Sequence, residues 1–371
     1  MQGTNLNSTL TADNFFTPVN GTALQSKIYQ YNPLKPSTKL ILFLSMATVG
    51  ISGFVGNFLV LCFLKTKNNA KTFLKTCSFE KNFAVYIKSL AISDVLSSVI
   101  SVTLLCVELY FDSFQTGWGC KIARYWIILF PSVTMNNLLV ISIEKFFSCR
   151  RVPQSFSHST VKKMVLFAWL EGATIVLLPA ATYIGVRYNF NETHYTVVCR
   201  FDNLYLPFRI MFLGYTIVQY IVPMIAIIRI NISLILTVWV VTKRRKAIDV
   251  QRDNGIKLRF RAATVRSTCI IIALTFAFII PYIFYFSQVI YHHLTKAIID
   301  FETDYTIRFA SSVIVFSNPA VNFVLYVVQM RDFRAFLNKK IVSWFTAGNT
   351  NPASVDIQMV NFSTLALTTV D

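Results

Sequence analysis

Seven long apolar segments dominate this chain. They cover residues 40–64, 89–107, 125–143, 164–186, 210–242, 267–295 and 309–330. A helix that crosses a bilayer needs about 20 mostly apolar residues, because lipid offers its backbone no hydrogen-bonding partners. Only 14% of the residues are charged, against roughly 25% in a typical soluble domain. The pattern predicts an all-α membrane protein, a seven-helix transmembrane bundle over residues 39–330.

The distribution of basic residues predicts the orientation of the bundle. If the N-terminus lies outside, the inner loops and the C-terminal segment carry most of the 35 Lys and Arg. Cytoplasmic loops of membrane proteins are enriched in these residues. The net charge of +18 is therefore explained by membrane topology, and we expect no nucleic-acid partner.

The segments outside the bundle have distinct compositions. Residues 1–38 are polar and predict a disordered extracellular tail, with glycosylation sequons at Asn7 and Asn20; Asn191 begins a third sequon on the outer side. Residues 331–345 repeat apolar and basic residues at helical spacing, which predicts an amphipathic helix on the inner membrane surface. Residues 346–371 predict a disordered cytoplasmic tail.

Cysteine and histidine positions limit the chemistry. Of the seven cysteines, Cys120 and Cys199 lie on the predicted outer side, where an oxidising compartment favours a disulfide. The four histidines lie near span ends or in loops, in no catalytic or metal-binding spacing. We therefore do not expect an enzyme.

Buried polar residues mark a candidate site inside the bundle, because polar groups in a membrane interior are costly unless partnered. Asp94 lies within an apolar run of span two, and Asn57 and Thr134 lie in spans one and three. Asn318 and Asn322 are four residues apart in span seven and share one helix face. This oxygen-rich set suits a small cation such as sodium. A hydrogen-bonded cluster without an ion remains the alternative.

An acid and a base are adjacent at the inner end of span three, in the sequence Glu144-Lys145-Phe146. The two charges can pair with each other or with a neighbouring helix. Simple anchoring at the membrane interface is the alternative interpretation.

Taken together, these residues resemble the rhodopsin-like (class A) family of G-protein-coupled receptors. The similarity covers nearly everything except the two tails. The matching residues, in chain order, are Gly56-Asn57, Leu90-Ala91 with Asp94, Cys120, Glu144-Lys145-Phe146, Trp169, Cys199, Pro223, Pro281, Asn322 with Tyr326, and Phe333. Each single match is weak, but their order and their distribution over the spans are specific.

The resemblance implies a plasma-membrane receptor that converts binding of an unknown extracellular ligand into activation of a heterotrimeric G protein. Arrestin and receptor kinases are further implied partners, and beyond the sodium ion considered above we expect no cofactor. The resemblance places gating of the G-protein cleft at Glu144, Lys145, Phe146 and Tyr326, and helix kinks at Pro223 and Pro281; a further kink is expected at Pro319, outside the family position. It places the ligand pocket at Ile127, Pro131, Tyr282, Phe286, Ser312 and Phe316.

Two of these pocket positions exclude ligand classes. Receptors for amines carry an aspartate where this chain has Ile127, and opsins carry the retinal lysine where it has Phe316. We therefore expect neither an aminergic ligand nor retinal.

Several residues depart from the family pattern. Lys145 replaces an arginine and lacks its planar fork, Phe323 replaces a proline, and Ile279 replaces a tryptophan. Pro319, four residues before Phe323, predicts that the kink of span seven is displaced. The departures keep one alternative open, a receptor-shaped decoy or dimer partner with weak or absent coupling. A transporter is a more remote alternative.

Overall fold

The computed structural model describes residues 27–69, 78–148, 156–189, 193–201, 205–248, 255–295 and 300–347. Asn7, Asn20 and Asn191, the predicted glycosylation sites, lie outside the described residues. Nearly all of the predicted cytoplasmic tail also lies outside them.

The expectation of seven spans is confirmed. Seven helical segments are long and apolar enough to cross a bilayer: Pro36–Thr66, Asn82–Tyr110, Gly117–Ser148, His158–Ala181, Leu206–Thr237, Thr268–Gln288 and Phe301–Gln329. We number them spans one to seven. In span three, 72% of the most apolar stretch is buried, against 28% in span four. Span three is therefore the central helix of the bundle.

Some spans are a single helix, and others are divided into two helices. The elements are α1 (Pro36–Asn69), α2 (Ser78–Leu96), α3 (Val102–Tyr110), α4 (Gly117–Ser148), α5 (His158–Ile175), α6 (Leu177–Ala181), α7 (Leu206–Thr216), α8 (Val222–Ile248), α9 (Gly255–Thr295), α10 (Phe301–Phe316), α11 (Asn318–Gln329) and α12 (Arg331–Ala347). π turns join α2 to α3 and α7 to α8. Helix α12 covers the predicted surface helix.

The three predicted kink prolines lie in different local structures. Pro223 is the second residue of α8, which begins directly after the π turn Ile217–Ile221. Pro319 is the second residue of α11, and the helix of span seven is interrupted at Ser317 just before it. Proline has no backbone N–H to continue the ladder, which accounts for this break. Pro281 lies inside the unbroken α9.

A small sheet covers one end of the bundle. It contains β1 (Ile28–Tyr29), β2 (Tyr183–Asn189) and β3 (His194–Phe201) in the order β1-β3-β2. Strands β2 and β3 are antiparallel, and β1 runs parallel to β3. Here the sequence expectations differ from the structure: span four ends at Ala181 instead of continuing to residue 186, and part of the predicted tail pairs with β3. Tyr183 and Val186 belong to β2, where aromatic and β-branched residues pack well.

One contiguous cluster of buried apolar side chains runs along the bundle. It includes Tyr215 and Tyr282 near the sheet, Tyr326 near the end of α11, and Phe333 in α12. We call the end that carries the sheet the disulfide end, and the opposite end the α12 end.

Candidate functional site

Cys120 and Cys199 form the disulfide expected from the sequence, with their Cα atoms 5.5 Å apart. The bond ties the start of span three to β3. The side chain of Gln115 reinforces the link, because its Oε1 accepts a hydrogen bond from the Cys199 N–H at 2.7 Å. Arg124 Nη2 donates to the Cys199 carbonyl at 3.0 Å. The β2–β3 hairpin is thereby held over the bundle.

Two adjoining cavities lie beneath this hairpin. The six predicted pocket residues all line one of them, a cavity of about 120 Å³ that also contacts Tyr215 and Tyr220. We call it the apolar chamber. The second has a volume of about 190 Å³ and is nearer the hairpin; we call it the charged chamber. The residues shared by both chambers are Leu105, Arg124, Tyr183, Phe212, Tyr285 and Ser312.

Within the part of the chain that the structure describes, five charged side chains line the charged chamber. Arg124 forms an ion pair with Glu108, and its guanidinium lies 5.5 Å from the ring centre of Tyr183. Asp304 is shared by two cations: its Oδ1 accepts from Arg308 Nε at 2.9 Å, and its Oδ2 lies 3.3 Å from Arg200 Nη1. Burial lowers the pKa of Arg200, and Asp304 opposes this shift.

A polar network under the apolar chamber joins spans three and five. Ser132 Oγ lies 2.8 Å from Tyr215 Oη and 3.2 Å from Tyr220 Oη. Gln219 Nε2 donates to the Ser132 carbonyl at 3.2 Å and to Asn136 Oδ1 at 3.1 Å. Sequence reasoning missed this network. The proximity of two tyrosines and a glutamine to Pro223 was the available signal.

The polar residues predicted around Asp94 are only partly connected to one another. Asn322 Nδ2 donates to Asp94 Oδ2 at 2.9 Å. Asn57 Nδ2 donates to the Pro319 carbonyl at 2.9 Å, so span one is tied to the break in span seven. Thr134 bonds instead to Ser93, with 2.9 Å between the hydroxyl oxygens.

Three amide oxygens of this region accept no hydrogen bond within the described part of the chain. They belong to Asn57, Asn318 and Asn322, and each of these side chains is buried. An oxygen-rich interior with unused acceptors fits the donor set that a small hard cation takes.

At the α12 end, Glu144 and Lys145 form an ion pair, with 3.2 Å between Oε2 and Nζ, and neither side chain has any solvent exposure. Lys145 Nζ lies 5.5 Å from the ring centre of Phe83. Phe146 is half-buried and packs edge-on against Phe147. The pair is therefore part of the packed core and does not act as an anchor in the interface.

Four buried polar side chains near this end carry unpartnered atoms. Within the described residues, the hydroxyls of Tyr86, Ser142 and Tyr326 and both amide atoms of Asn231 form no hydrogen bond. A buried polar group left unsatisfied costs about 1–3 kcal/mol, so hydrogen bonds to the described residues do not stabilise these four side chains in the packed arrangement.

Comparison with known proteins agrees with this architecture. Residues 56–326 match the profile of the family described as "7 transmembrane receptor (rhodopsin family)". The allatostatin-A receptor of Bombyx mori is 22% identical over 303 residues, which cover 78% of this chain and 76% of that protein.

Two further similarities point the same way. Probable G-protein coupled receptor 19 of Mus musculus is 26% identical over 323 residues, covering 85% of this chain and 69% of that protein. The crystal structure of squid rhodopsin superposes with a TM-score of 0.65 at 17% identity, covering 86% of this chain and 90% of that structure. The chain is thus a multi-pass membrane protein that belongs to the rhodopsin family of seven-transmembrane, G-protein-coupled receptors.

Proposed function

We propose that this protein is a plasma-membrane receptor whose disulfide end and N-terminus face the extracellular side. An unidentified ligand enters the two chambers, and a heterotrimeric G protein binds at the α12 end. The basic loops near the α12 end support this orientation, since cytoplasmic loops are enriched in Lys and Arg. A disulfide at the opposite end supports it as well, because disulfides persist in oxidising compartments.

The continuous buried cluster is the observation that carries the proposal. Tyr282 lines the apolar chamber, and its ring stacks on Tyr220 and Phe278 at centroid distances of 5.3 and 4.5 Å. The same cluster extends to Tyr326 at the other end. Packed interiors shift between discrete arrangements instead of deforming gradually. A ligand that displaces Tyr282 therefore biases the arrangement of the whole bundle.

We infer that the second arrangement of the bundle is one in which the α12 end is open to water. Opening this end would hydrate Tyr86, Asn231 and Tyr326, whose polar atoms have no partner in the described arrangement. It would also expose the Glu144–Lys145 pair, whose burial carries a desolvation cost. The described arrangement, which we call the closed state, is consequently stabilised by apolar packing. The unpartnered polar atoms and the buried ion pair oppose it. Opposing contributions of this kind keep the two arrangements close in free energy, so that ligand binding can shift the equilibrium between them.

We also propose that sodium stabilises the closed state. Asp94 with the unused oxygens of Asn57, Asn318 and Asn322 would hold the ion. The ion would neutralise a buried carboxylate that, among the described residues, accepts a side-chain hydrogen bond from Asn322.

Further partners are proposed from the family. Receptor kinases and arrestin would act on the cytoplasmic tail, where added phosphate charge would be recognised. Asn7, Asn20 and Asn191 would be glycosylated on the extracellular side.

A ligand-library screen on surface-expressed receptor, measured with biosensors for several G-protein classes, tests the function. An N-terminal epitope tag detected on intact cells tests the orientation. We expect an accessible tag and at least one ligand that drives one G-protein class. A tag reached only after permeabilisation overturns the orientation. Silence of every biosensor for a receptor present at the surface favours the decoy interpretation.

A further inference from the structure

Among the described residues that line the charged chamber, cationic groups outnumber anionic groups. We propose that the ligand presents a carboxylate to this chamber, beside an apolar group of about one ring that enters the apolar chamber. This inference rests on the proposed function and names the ligand class.

The charge balance of the chamber is the first reason. Its lining includes three guanidinium groups, of Arg124, Arg200 and Arg308, and two carboxylates, of Glu108 and Asp304. Glu108 is matched by Arg124, so Asp304 alone serves both Arg200 and Arg308. Among the described residues of the lining, one positive charge is left without a counter-charge. An anion is the ligand group that this chamber would stabilise most.

Available hydrogen-bond donors are the second reason. Arg308 uses Nε for Asp304, and its two terminal nitrogens bond to no residue in the described ranges. The Arg308 side chain is 39% exposed, so its two terminal nitrogens are accessible to a ligand. Gln288 also lines the chamber; its Oε1 accepts from Ser311, while its buried Nε2 has no partner among the described residues. A guanidinium fork beside an amide donor matches the acceptor oxygens of a carboxylate.

The chamber volumes limit the size of the apolar group attached to the carboxylate. An apolar protein cavity of about 150 Å³ holds benzene. The chambers of about 190 and 120 Å³ therefore admit a carboxylate and one ring or a branched alkyl group. The residues that line the apolar chamber, including Ile127, Phe286 and Phe316, match such a group. A small aryl or alkyl acid and the free carboxyl end of a peptide both present this chemistry.

Thermal unfolding of the purified full-length receptor, with and without matched probes, tests the proposal. The first set is 4-phenylbutyrate, its amide and 4-phenylbutylamine, and the second is Ala-Ala-Phe with a free or an amidated C-terminus. We expect the acids to raise Tm and the amides and the amine to leave it unchanged. The set with the larger effect identifies the source of the carboxylate. Acetate and inorganic phosphate report what an anion alone contributes.

Variants localise the effect. Arg308→Gln should weaken the binding of the acids by about 10- to 100-fold. This ratio corresponds to the free energy that a hydrogen bond to a charged group usually contributes. Arg308→Lys should retain part of the affinity, because it keeps the charge without the fork. Arg209→Gln is the matched control: Arg209 is exposed on α7 and is absent from the lining of both chambers, so affinity should not change.

Three results would overturn the inference: no acid raises Tm, the amides or the amine raise it as much as the acids, or Arg308→Gln binds the acids normally. None of them affects the proposed function, which fails separately if no G-protein biosensor responds.

Discussion

Phe323 packs directly on Gly56: a Cβ atom added at Gly56 would lie 2.4 Å from Cγ of the Phe323 ring. Two carbon atoms that are not bonded to each other do not approach this closely, and Cγ is the fixed base of the ring. The family proline is replaced here by a large ring, and the glycine of span one makes room for it. The contact holds spans one and seven close together.

Gly56→Ala should therefore destabilise the receptor. Overpacking costs about 1–3 kcal/mol, which exceeds the gain of about 1 kcal/mol from the better helix propensity of alanine. The expected result is a lower Tm in detergent and reduced surface expression.

A control and a rescue separate the contact from the propensity. Gly214 also lies in a helix, and an added Cβ there meets no atom within 4 Å, so Gly214→Ala should leave Tm unchanged or raise it. The double variant Gly56→Ala/Phe323→Ala should regain part of the lost stability. Failure of this rescue would contradict the assigned contact.

Loss of the disulfide should loosen the disulfide end. The bond closes a loop over a sequence separation of 79 residues, and removing a natural disulfide costs about 2–5 kcal/mol. Cys199→Ser should lower Tm and abolish the response of Tm to reducing agent. Cys106→Ser, at a free and partly buried cysteine, is the control and should keep that response. An unchanged Tm in Cys199→Ser would refute the structural role.

Sodium should raise the Tm of the receptor, measured against choline chloride at constant ionic strength. A ligand at ten times its Kd stabilises by about 1.4 kcal/mol, and Asp94→Asn should remove this response because the carboxylate is lost. Glu171→Gln, which alters another acid within a span, should leave the response intact. Equal sodium dependence in the wild type and in Asp94→Asn would argue against a site at Asp94.

Gln219 should be needed for stability. Gln219→Leu removes the donor to Ser132 and Asn136 and leaves the Asn136 amide oxygen buried without this donor, at about 1–3 kcal/mol. Thr174→Val is the comparison, because the Thr174 hydroxyl bonds within its own helix and its loss should change Tm little. Similar Tm values for the two variants would contradict the importance of the network.

Local sequence properties predicted the spans but not how they are joined. Hydropathy located all seven spans, because each needs a continuous apolar run. It extended span four into β2, since Tyr183 and Val186 are as apolar as helix residues. The pairing of β1 with β3 joins Ile28 to His194, a contact between distant positions that no local pattern encodes.

The ligand pocket was predictable from the family resemblance, whereas the polar contacts between helices were not predictable. The six pocket candidates, which the family resemblance placed on spans three, six and seven, do line one cavity. The partner of Thr134 is Ser93 instead of Asp94, and the Ser132–Tyr215 bond depends on how spans three and five are rotated. Spacing along one chain segment does not fix that rotation.

The Glu144–Lys145 pair offers a direct test of whether the buried α12 end is held closed and opens to a G protein. Glu144→Gln removes the carboxylate 3.2 Å from the Lys145 ammonium, and breaking a buried pair costs about 3–5 kcal/mol. Opening relieves that cost, because water then reaches the ammonium. The double variant Glu144→Gln/Lys145→Met removes the charge as well and should return to the wild-type level.

The decisive measurement is therefore basal G-protein activation by these receptors at matched surface expression, measured with the same biosensors. We predict higher basal activation in Glu144→Gln than in the wild type, and reversal in the double variant. Equal basal activation in all three receptors would contradict a closed α12 end that opens to the G protein.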